Sequence, residues 1–359
     1  MDVFERIGDE YEQVVFSHEG TSGLRAIIAI HSTRLGPALG GTRFYPYLNE
    51  DEAIEDVLRL ARGMTYKAAA AGLDLGGGKA VIIGDPAVAK NEALLRAYAR
   101  FVQSLGGRYV TAEDVGTTQT DMDLIRRETR FVTGVSEELG GSGDPSAATA
   151  YGVRWAMKAV ARYLWGSTAL EGRHICVSGV GKVGSHLVGG LVEEGARVSV
   201  ADVVPAAVER MVHQFGAESV AVEKAHGVDC DIYAPCALGA ALNSSTIPEL
   251  RCAAVVGSAN NQLAEPDCAD LLHESNVIYA PDYVVNAGGL INIAEEMAPG
   301  GYHRESAYVS VQRVADNIER VLSIAEAEAI TTSAAADRLA ELRIESLGHV
   351  AQIRIPRSA

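Results

Sequence analysis

One short segment restricts the fold of this chain more than any other. An apolar run from His174 to Ser178 reads as a buried strand. It leads into Gly179-Val180-Gly181-Lys182-Val183-Gly184, and a helix pattern with apolar Val183, Leu187, Val188 and Leu191 follows at once. Glycines at those three places permit a tight turn, close approach of a ligand to the backbone, and close packing of helix on strand, while the helix N-terminus turns its N–H groups toward phosphates. The next strand, Arg197 to Ala201, ends at Asp202, placed to accept hydrogen bonds from a ribose diol. A tight strand-to-helix turn without a ligand is the plain alternative. Strand, glycines, helix and acid together predict a Rossmann-type unit that holds a dinucleotide through Gly179, Gly181, Lys182, Val183, Gly184 and Asp202. With Val203 and Val204 following and no arginine adjacent, Asp202 would repel a 2′-phosphate, so NAD is the expected cofactor rather than NADP.

A chain of 359 residues has room for two or three units of ordinary domain size. The most turn-rich stretch, Leu-Gly-Gly-Ser-Gly-Asp-Pro-Ser over 139–146, places a boundary that separates domain 1–145 from domain 146–330, with the tail 331–359 free to fold back on the first. Before the boundary, strands are expected over 12–18, 24–32, 79–83 and 108–112, and helices over 51–71 and 90–105. That alternation implies an α/β unit with a mostly parallel sheet. After it, a helix over 147–164 and strands over 175–178, 198–200, 231–234, 254–257 and 277–280 form a second α/β series. The excess of 47 acidic over 31 basic residues, a net charge of −16 with no basic stripe, argues against a nucleic-acid partner. No apolar stretch reaches the ~18 residues of a membrane span. The first residues lack a signal pattern, and five cysteines without a CxxC pair argue against a disulfide frame, so a cytoplasmic location is expected. Nine histidines form no HExxH and no metal-ligand spacing with cysteine, so no metal is expected.

A second glycine cluster, Gly76-Gly77-Gly78-Lys79, fails as a phosphate-binding P-loop, because Leu73 stands where its first glycine belongs and Ala80 where its Ser or Thr belongs. What remains is a lysine at the edge of a buried strand, where desolvation would ease loss of its proton for amine or carbonyl chemistry. A solvated lysine after a flexible turn is the plain alternative. On the preceding helix, Met64-Thr65-Tyr66-Lys67 sets a second lysine before the small apolar run 68–73, where it either reaches solvent or faces an anion. Glu113 and Asp114 follow the strand over 108–112, at the strand ends where ligands of open α/β sheets bind, although either would also serve as a helix cap. Two lysines and a carboxylate suggest a small anionic substrate held by one lysine while the other and the aspartate exchange protons. Cys236 follows a strand and reads as a small core residue before a reactive thiol.

These residues resemble those of the Glu/Leu/Phe/Val amino acid dehydrogenase superfamily, its leucine and valine branch in particular. The resemblance rests on Leu-Gly-Pro-Ala-Leu-Gly-Gly-Thr-Arg over 35–43, Ala-Arg-Gly-Met-Thr-Tyr-Lys over 61–67, Leu-Gly-Gly-Gly-Lys over 75–79, Thr-Ala-Glu-Asp-Val-Gly over 111–116, Asn-Asn-Gln-Leu over 260–263 and Ala-Pro-Asp-Tyr-Val-Val-Asn-Ala-Gly-Gly over 280–289. It implies NAD-dependent, reversible oxidative deamination of a branched-chain L-amino acid to its 2-oxo acid, in a homo-oligomer. By resemblance, Lys67 binds the substrate carboxylate with Gly40, Gly41 and Met64 nearby, Lys79 activates the attacking water, and Asp114 relays protons to and from the amine. Thr149, Ala259, Asn260 and Asn261 match the nicotinamide end of the cofactor site, and Asn286 a position near the reacting centre. Leu39, Ala112, Leu290 and Ile293 match the side-chain pocket. All four are apolar, which excludes glutamate, and Leu290 in place of the branch's usual valine reshapes the pocket. Two domains separated by a cleft, the N-terminal one for substrate and the Rossmann-type one for NAD, are the architecture implied. A phenylalanine-preferring dehydrogenase and a catalytically silent dinucleotide sensor are the competing readings; the joint presence of Lys67, Lys79 and Asp114 speaks against the sensor.

Overall fold

The computed structural model describes residues 3–237 and 239–348. They fall into two compact units. The first runs to Asp144 and includes Ile293–His303 and the residues from Ala340 on; the second comprises Pro145–Asn292 and Arg304–Leu339. The unbroken second domain expected over 146–330 is therefore corrected: 293–303 belongs to the first unit and the second runs on to 339. Of the tail, the helix Thr332–Gly348 is described and 349–359 lie outside the described residues.

The first unit is built on five strands, β1 (Gln13–Glu19), β2 (Leu24–Ser32), β3 (Ala38–Tyr45), β4 (Gly76–Ile83) and β5 (Tyr109–Glu113), in the order β1-β2-β4-β3-β5. The sheet is mixed, not mostly parallel. β3 runs parallel to β4 and β5, but β2 is antiparallel to both β1 and β4; the turn ending at Gly23, with φ 76°, closes the β1–β2 hairpin. β3 is a strand not among those expected. Its glycines answer to crowding from the two neighbouring strands: a Cβ on Gly40 would strike the Gly78 carbonyl, and one on Gly41 would strike the Glu113 carbonyl and the Asp114 side chain.

Both faces of this sheet are covered. Ile28, Ile30, Ile82 and Phe44 pack with Leu94, Leu95, Tyr98 and Val102 of the helix Glu92–Ser104. Ile27, Ala29 and Val81 pack with Ile54, Val57, Leu58 and Ala61 of the helix Glu50–Ala70. Burial on both sides explains why β2 is an uninterrupted apolar run from Ala26 to Ile30 instead of an alternating one. The Glu50–Ala70 helix is capped by Asn49, whose side chain accepts the Glu52 N–H at 2.9 Å, and acids in its first turn with Lys67 in its last both complement the helix dipole. The returning segment 293–303 is tied in by Glu296, which accepts the Gly134 N–H at 3.0 Å and the Ser142 hydroxyl at 2.6 Å.

The second unit carries six strands, β6 (His174–Ser178), β7 (Arg197–Ala201), β8 (Glu218–Ser219), β9 (Ile232–Pro235), β10 (Ala254–Val255) and β11 (Ile278–Tyr279), all paired in parallel in the order β11-β10-β9-β6-β7-β8. Counted from β6 this is 6-5-4-1-2-3, the doubly wound order of dinucleotide-binding sheets, with the direction of winding reversing between β6 and β9. Cys176, Tyr233, Val255 and Tyr279 fill the core on one side of it. No helix among the described residues is long and apolar enough to cross a membrane.

Candidate active site

Strand alternation gathers the polar groups of the first unit on one face. Ala80 and Ile82 of β4 face the Glu92–Ser104 helix, so Lys79 shares the opposite face with Val81, under the Glu50–Ala70 helix. By the same alternation Ala38 and Phe44 send Leu39, Gly41 and Arg43 of β3 to that face, and Tyr109 of β5 sends Ala112 and Asp114 there. The covering helix comes so close that a Cβ on Gly77 would run into the Thr65 backbone, which brings its last turns, with Met64 and Lys67, against the glycine-rich start of β4. Both of those side chains are half-buried, whereas Leu39 and Ala112 are buried. Gly40 alternates to the other face, where its carbonyl accepts the Tyr109 hydroxyl at 2.6 Å, beside a buried hydroxyl cluster in which Thr42 Oγ1 lies 2.6 Å from Tyr98 and 2.5 Å from Thr111.

Lys79 is not at a strand edge. β4 begins at Gly76, so the lysine sits inside the strand with 6% of its surface exposed. Its ammonium pairs with the Asp114 carboxylate. Burial alone would raise the proton affinity of Asp114, but the Lys79 charge and hydrogen bond, the Arg43 guanidinium at 3.9 Å and the Val115 N–H at 2.5 Å together hold the carboxyl below its ordinary value. Its loop is pinned as well: the Asp114 N–H donates to Thr117 Oγ1 at 3.0 Å, and that hydroxyl donates to the Thr42 carbonyl at 2.9 Å. Neither Glu113 nor Asp114 caps the following helix, Gln119–Ile125; Thr118 and Asp121 do so in a reciprocal capping box.

In the second unit the loop after β6 has the form a dinucleotide requires. Gly179 has φ 101° and abuts Cys236 and Ala237 of the loop after β9, so no side chain fits there. A Cβ on Gly184 would strike the Gly179 carbonyl, which sets how closely helix Lys182–Glu193 packs. Gly181, by contrast, faces open space at the N-terminus of that helix, where the first-turn N–H groups point outward along the axis. Asp202 accepts the Val180 N–H at 2.7 Å and the Val204 N–H at 2.8 Å, fixing its carboxylate at the end of β7 beside the glycine loop.

Asn260 and Asn286 are linked by a hydrogen bond, and Ala259 and Asn261 flank Asn260 in the chain. Asn286 donates to the Ser258 carbonyl at 3.1 Å and to Asn260 Oδ1 at 2.8 Å, Ala259 is buried, and Asn261 takes a left-handed φ of 52°. Gln262 closes the loop by donating to the Gly257 and Ala259 carbonyls at 2.9 and 3.0 Å. Leu290 and Ile293 lie one turn apart on the helix Gly288–Ala294, whose two leading glycines press on the helix Ser146–Trp165, with the Thr149 hydroxyl against Gly289. Cys236 lies in the loop after β9, half-buried instead of in the core, and desolvation pushes its thiol up. Groups absent from the sequence reading are Arg43, its partner Asp56 and the Tyr98–Tyr109 hydroxyl cluster. Arg43 stands in the family-like string over 35–43, but no local pattern gave it a role.

A family model described as "Glu/Leu/Phe/Val dehydrogenase, dimerisation domain" matches residues 11–131, and one described as "Glutamate/Leucine/Phenylalanine/Valine dehydrogenase" matches 140–208 and 200–346. The chain belongs to the Glu/Leu/Phe/Val dehydrogenase family. It is 57% identical over 338 residues to a leucine dehydrogenase of Geobacillus stearothermophilus, covering 94% of this chain and 92% of that one. It is 52% identical over 339 residues to a valine dehydrogenase of Streptomyces virginiae, with 93% and 94% covered. Among solved structures, an L-tryptophan dehydrogenase from Nostoc punctiforme matches with a TM-score of 0.85 and 43% identity over 96% of this chain and 98% of that one. This Glu/Leu/Phe/Val dehydrogenase is therefore an oxidoreductase of the amino acid dehydrogenase class, with a dinucleotide cofactor and the α/β fold expected.

Proposed function

We propose that the protein catalyses the reversible oxidative deamination of leucine, isoleucine and valine to their 2-oxo acids, with NAD and release of ammonia. The observation that carries this reading is the buried Lys79–Asp114 pair beside Gly41, on the face covered by the helix that bears Lys67. Lys67 binds the substrate carboxylate, with Gly40 and Gly41 offering backbone and Met64 flanking. Lys79 in its neutral form takes a proton from the water that attacks the iminium carbon, and Asp114 passes protons to and from the amine. Leu39, Ala112, Leu290 and Ile293 receive the side chain. They offer no charge or donor, so an aliphatic chain gains by burial while glutamate would carry an uncompensated carboxylate inward. The kinship with leucine and valine dehydrogenases supports the same preference.

NAD, when bound, accepts the hydride from the substrate α-carbon. Gly179, Gly181, Lys182, Val183 and Gly184 would hold its pyrophosphate, and Asp202 would hold the adenosine ribose. Thr149 and Ala259 to Asn261 would hold the nicotinamide end, with Asn286 steadying that loop near the reacting carbon. We further propose that the enzyme works as a homo-oligomer in the cytoplasm.

Steady-state kinetics of three variants test the roles. Lys79→Ala and Asp114→Asn are expected to lose kcat by roughly 100- to 10,000-fold while NAD still binds, and Lys67→Ala to act mainly by raising the amino acid KM. Equal, mild effects of all three on every parameter would remove these residues from the site.

A further inference from the structure

Arg43 stands on β3 on the same face as Lys79 and Asp114. Its Nη1 donates to Asp56 Oδ2 at 2.8 Å, its Nη2 lies 3.9 Å from Asp114 Oδ1, and its Nε is buried without a hydrogen-bond acceptor. Asp56, on the Glu50–Ala70 helix, is held in turn by the Tyr47 hydroxyl at 2.7 Å and by Arg59 at 2.8 Å. The guanidinium is thus anchored at one end and offered to Asp114 at the other. Burial alone would weaken its hold on its proton, but Asp114 and Asp56 more than restore it, so the charge is permanent.

A permanent cation matters here because the other one must come and go. Lys79 gives up its proton in order to act on water, and in doing so it withdraws the main counter-charge from a buried carboxylate. Left alone, such a carboxylate takes up a proton and ceases to accept one from the amine. We propose that Arg43, anchored by Asp56, is a positioning residue that keeps a positive charge against Asp114 while Lys79 is neutral. The inference rests on the proton-transfer roles proposed above for Lys79 and Asp114. The charged and titratable groups that bear on Asp114 are Lys79 from β4 and Arg43 from β3, with Asp56 and Tyr47 behind the guanidinium.

The test is kcat against pH for leucine oxidation at saturating NAD, in the full-length enzyme and in Arg43→Met, Arg43→Gln and Arg43→Lys. Loss of a neighbouring cation raises the proton affinity of the catalytic pair. The acidic limb should therefore move up by about one pH unit in Arg43→Met and Arg43→Gln, either of which suffices if the other does not fold. Lysine retains the charge, so Arg43→Lys should keep the limb near its wild-type position even where kcat falls. A merely structural role would lower kcat or the melting temperature in all three without displacing the limb, and that result overturns the proposal. Asp114→Asn serves as the control. If it retains wild-type kcat, the underlying reading of Asp114 fails; if it is inactive and the limb stays fixed in the Arg43 variants, only the role of Arg43 fails.

Discussion

Lys79 and Asp114 neutralise each other where little water reaches either, their side chains being 7% and 16% exposed. Removing the lysine strands the carboxylate, and the sign of the pH dependence follows. Asp114 titrates below its unfolded value in the native protein, so its stabilising contribution is complete above the unfolded carboxylate range and is lost as pH falls through the lowered native value. Lys79→Met removes the largest favourable influence and leaves only the Arg43 guanidinium and the Val115 N–H to oppose burial. It should cost about 3 to 5 kcal/mol at pH 7, as broken buried pairs do, and much less near pH 4, where the stranded carboxyl protonates. Denaturant melts of wild type and Lys79→Met at the two pH values check this, and equal losses at both would contradict it. The double variant Lys79→Met with Asp114→Asn should recover stability at pH 7 without recovering activity.

At the scale of elements, the glycine loop after β6 separates structure from binding. Gly179 is strained by any side chain, through its φ of 101° and its contact with Ala237, whereas Gly181 faces open space at φ −68°. Gly179→Ala should destabilise the unbound protein by at least ~1 kcal/mol. Gly181→Ala should leave its stability within about 0.5 kcal/mol and instead raise the KM for NAD, since the added methyl occupies the approach to the backbone. Melting curves beside NAD titrations distinguish the two, and an unchanged KM in Gly181→Ala would move the pyrophosphate elsewhere. This loop was legible in the sequence because every part of it is local: strand, glycines, helix and acid follow one another along the chain. β2 and the Glu50–Ala70 helix were legible for the same reason. β3 was not. Gly40 and Gly41 are the signature of a turn when read locally, and the cause of their strand conformation, the pressure of Gly78 on one side and Glu113 on the other, comes from segments far along the chain. The strand position of Lys79 was misjudged with it, and the Asp56–Arg43–Asp114 chain stayed out of reach, since it depends on which strands pair and which face the helix covers.

Across the whole molecule, each unit carries its own part of the proposed site. The first has the paired lysine and aspartate, the second the doubly wound sheet with its glycine loop, and family membership over 11–346 joins them in one activity. The net charge of −16 adds to the case for a small zwitterionic substrate instead of a polyanionic one. In the proposed function the substrate side chain meets only apolar groups, where one methylene is worth only ~1 to 3 kcal/mol but an unpaired carboxylate costs far more. Aliphatic substrates should therefore differ among themselves by modest factors and from glutamate by a large one. The most direct measurement is NADH absorbance from the purified protein with NAD and a panel of L-amino acids. Steady NADH formation with leucine, isoleucine and valine and none with glutamate is the predicted result. Turnover of glutamate, a requirement for NADP, or no NADH with any amino acid would contradict it.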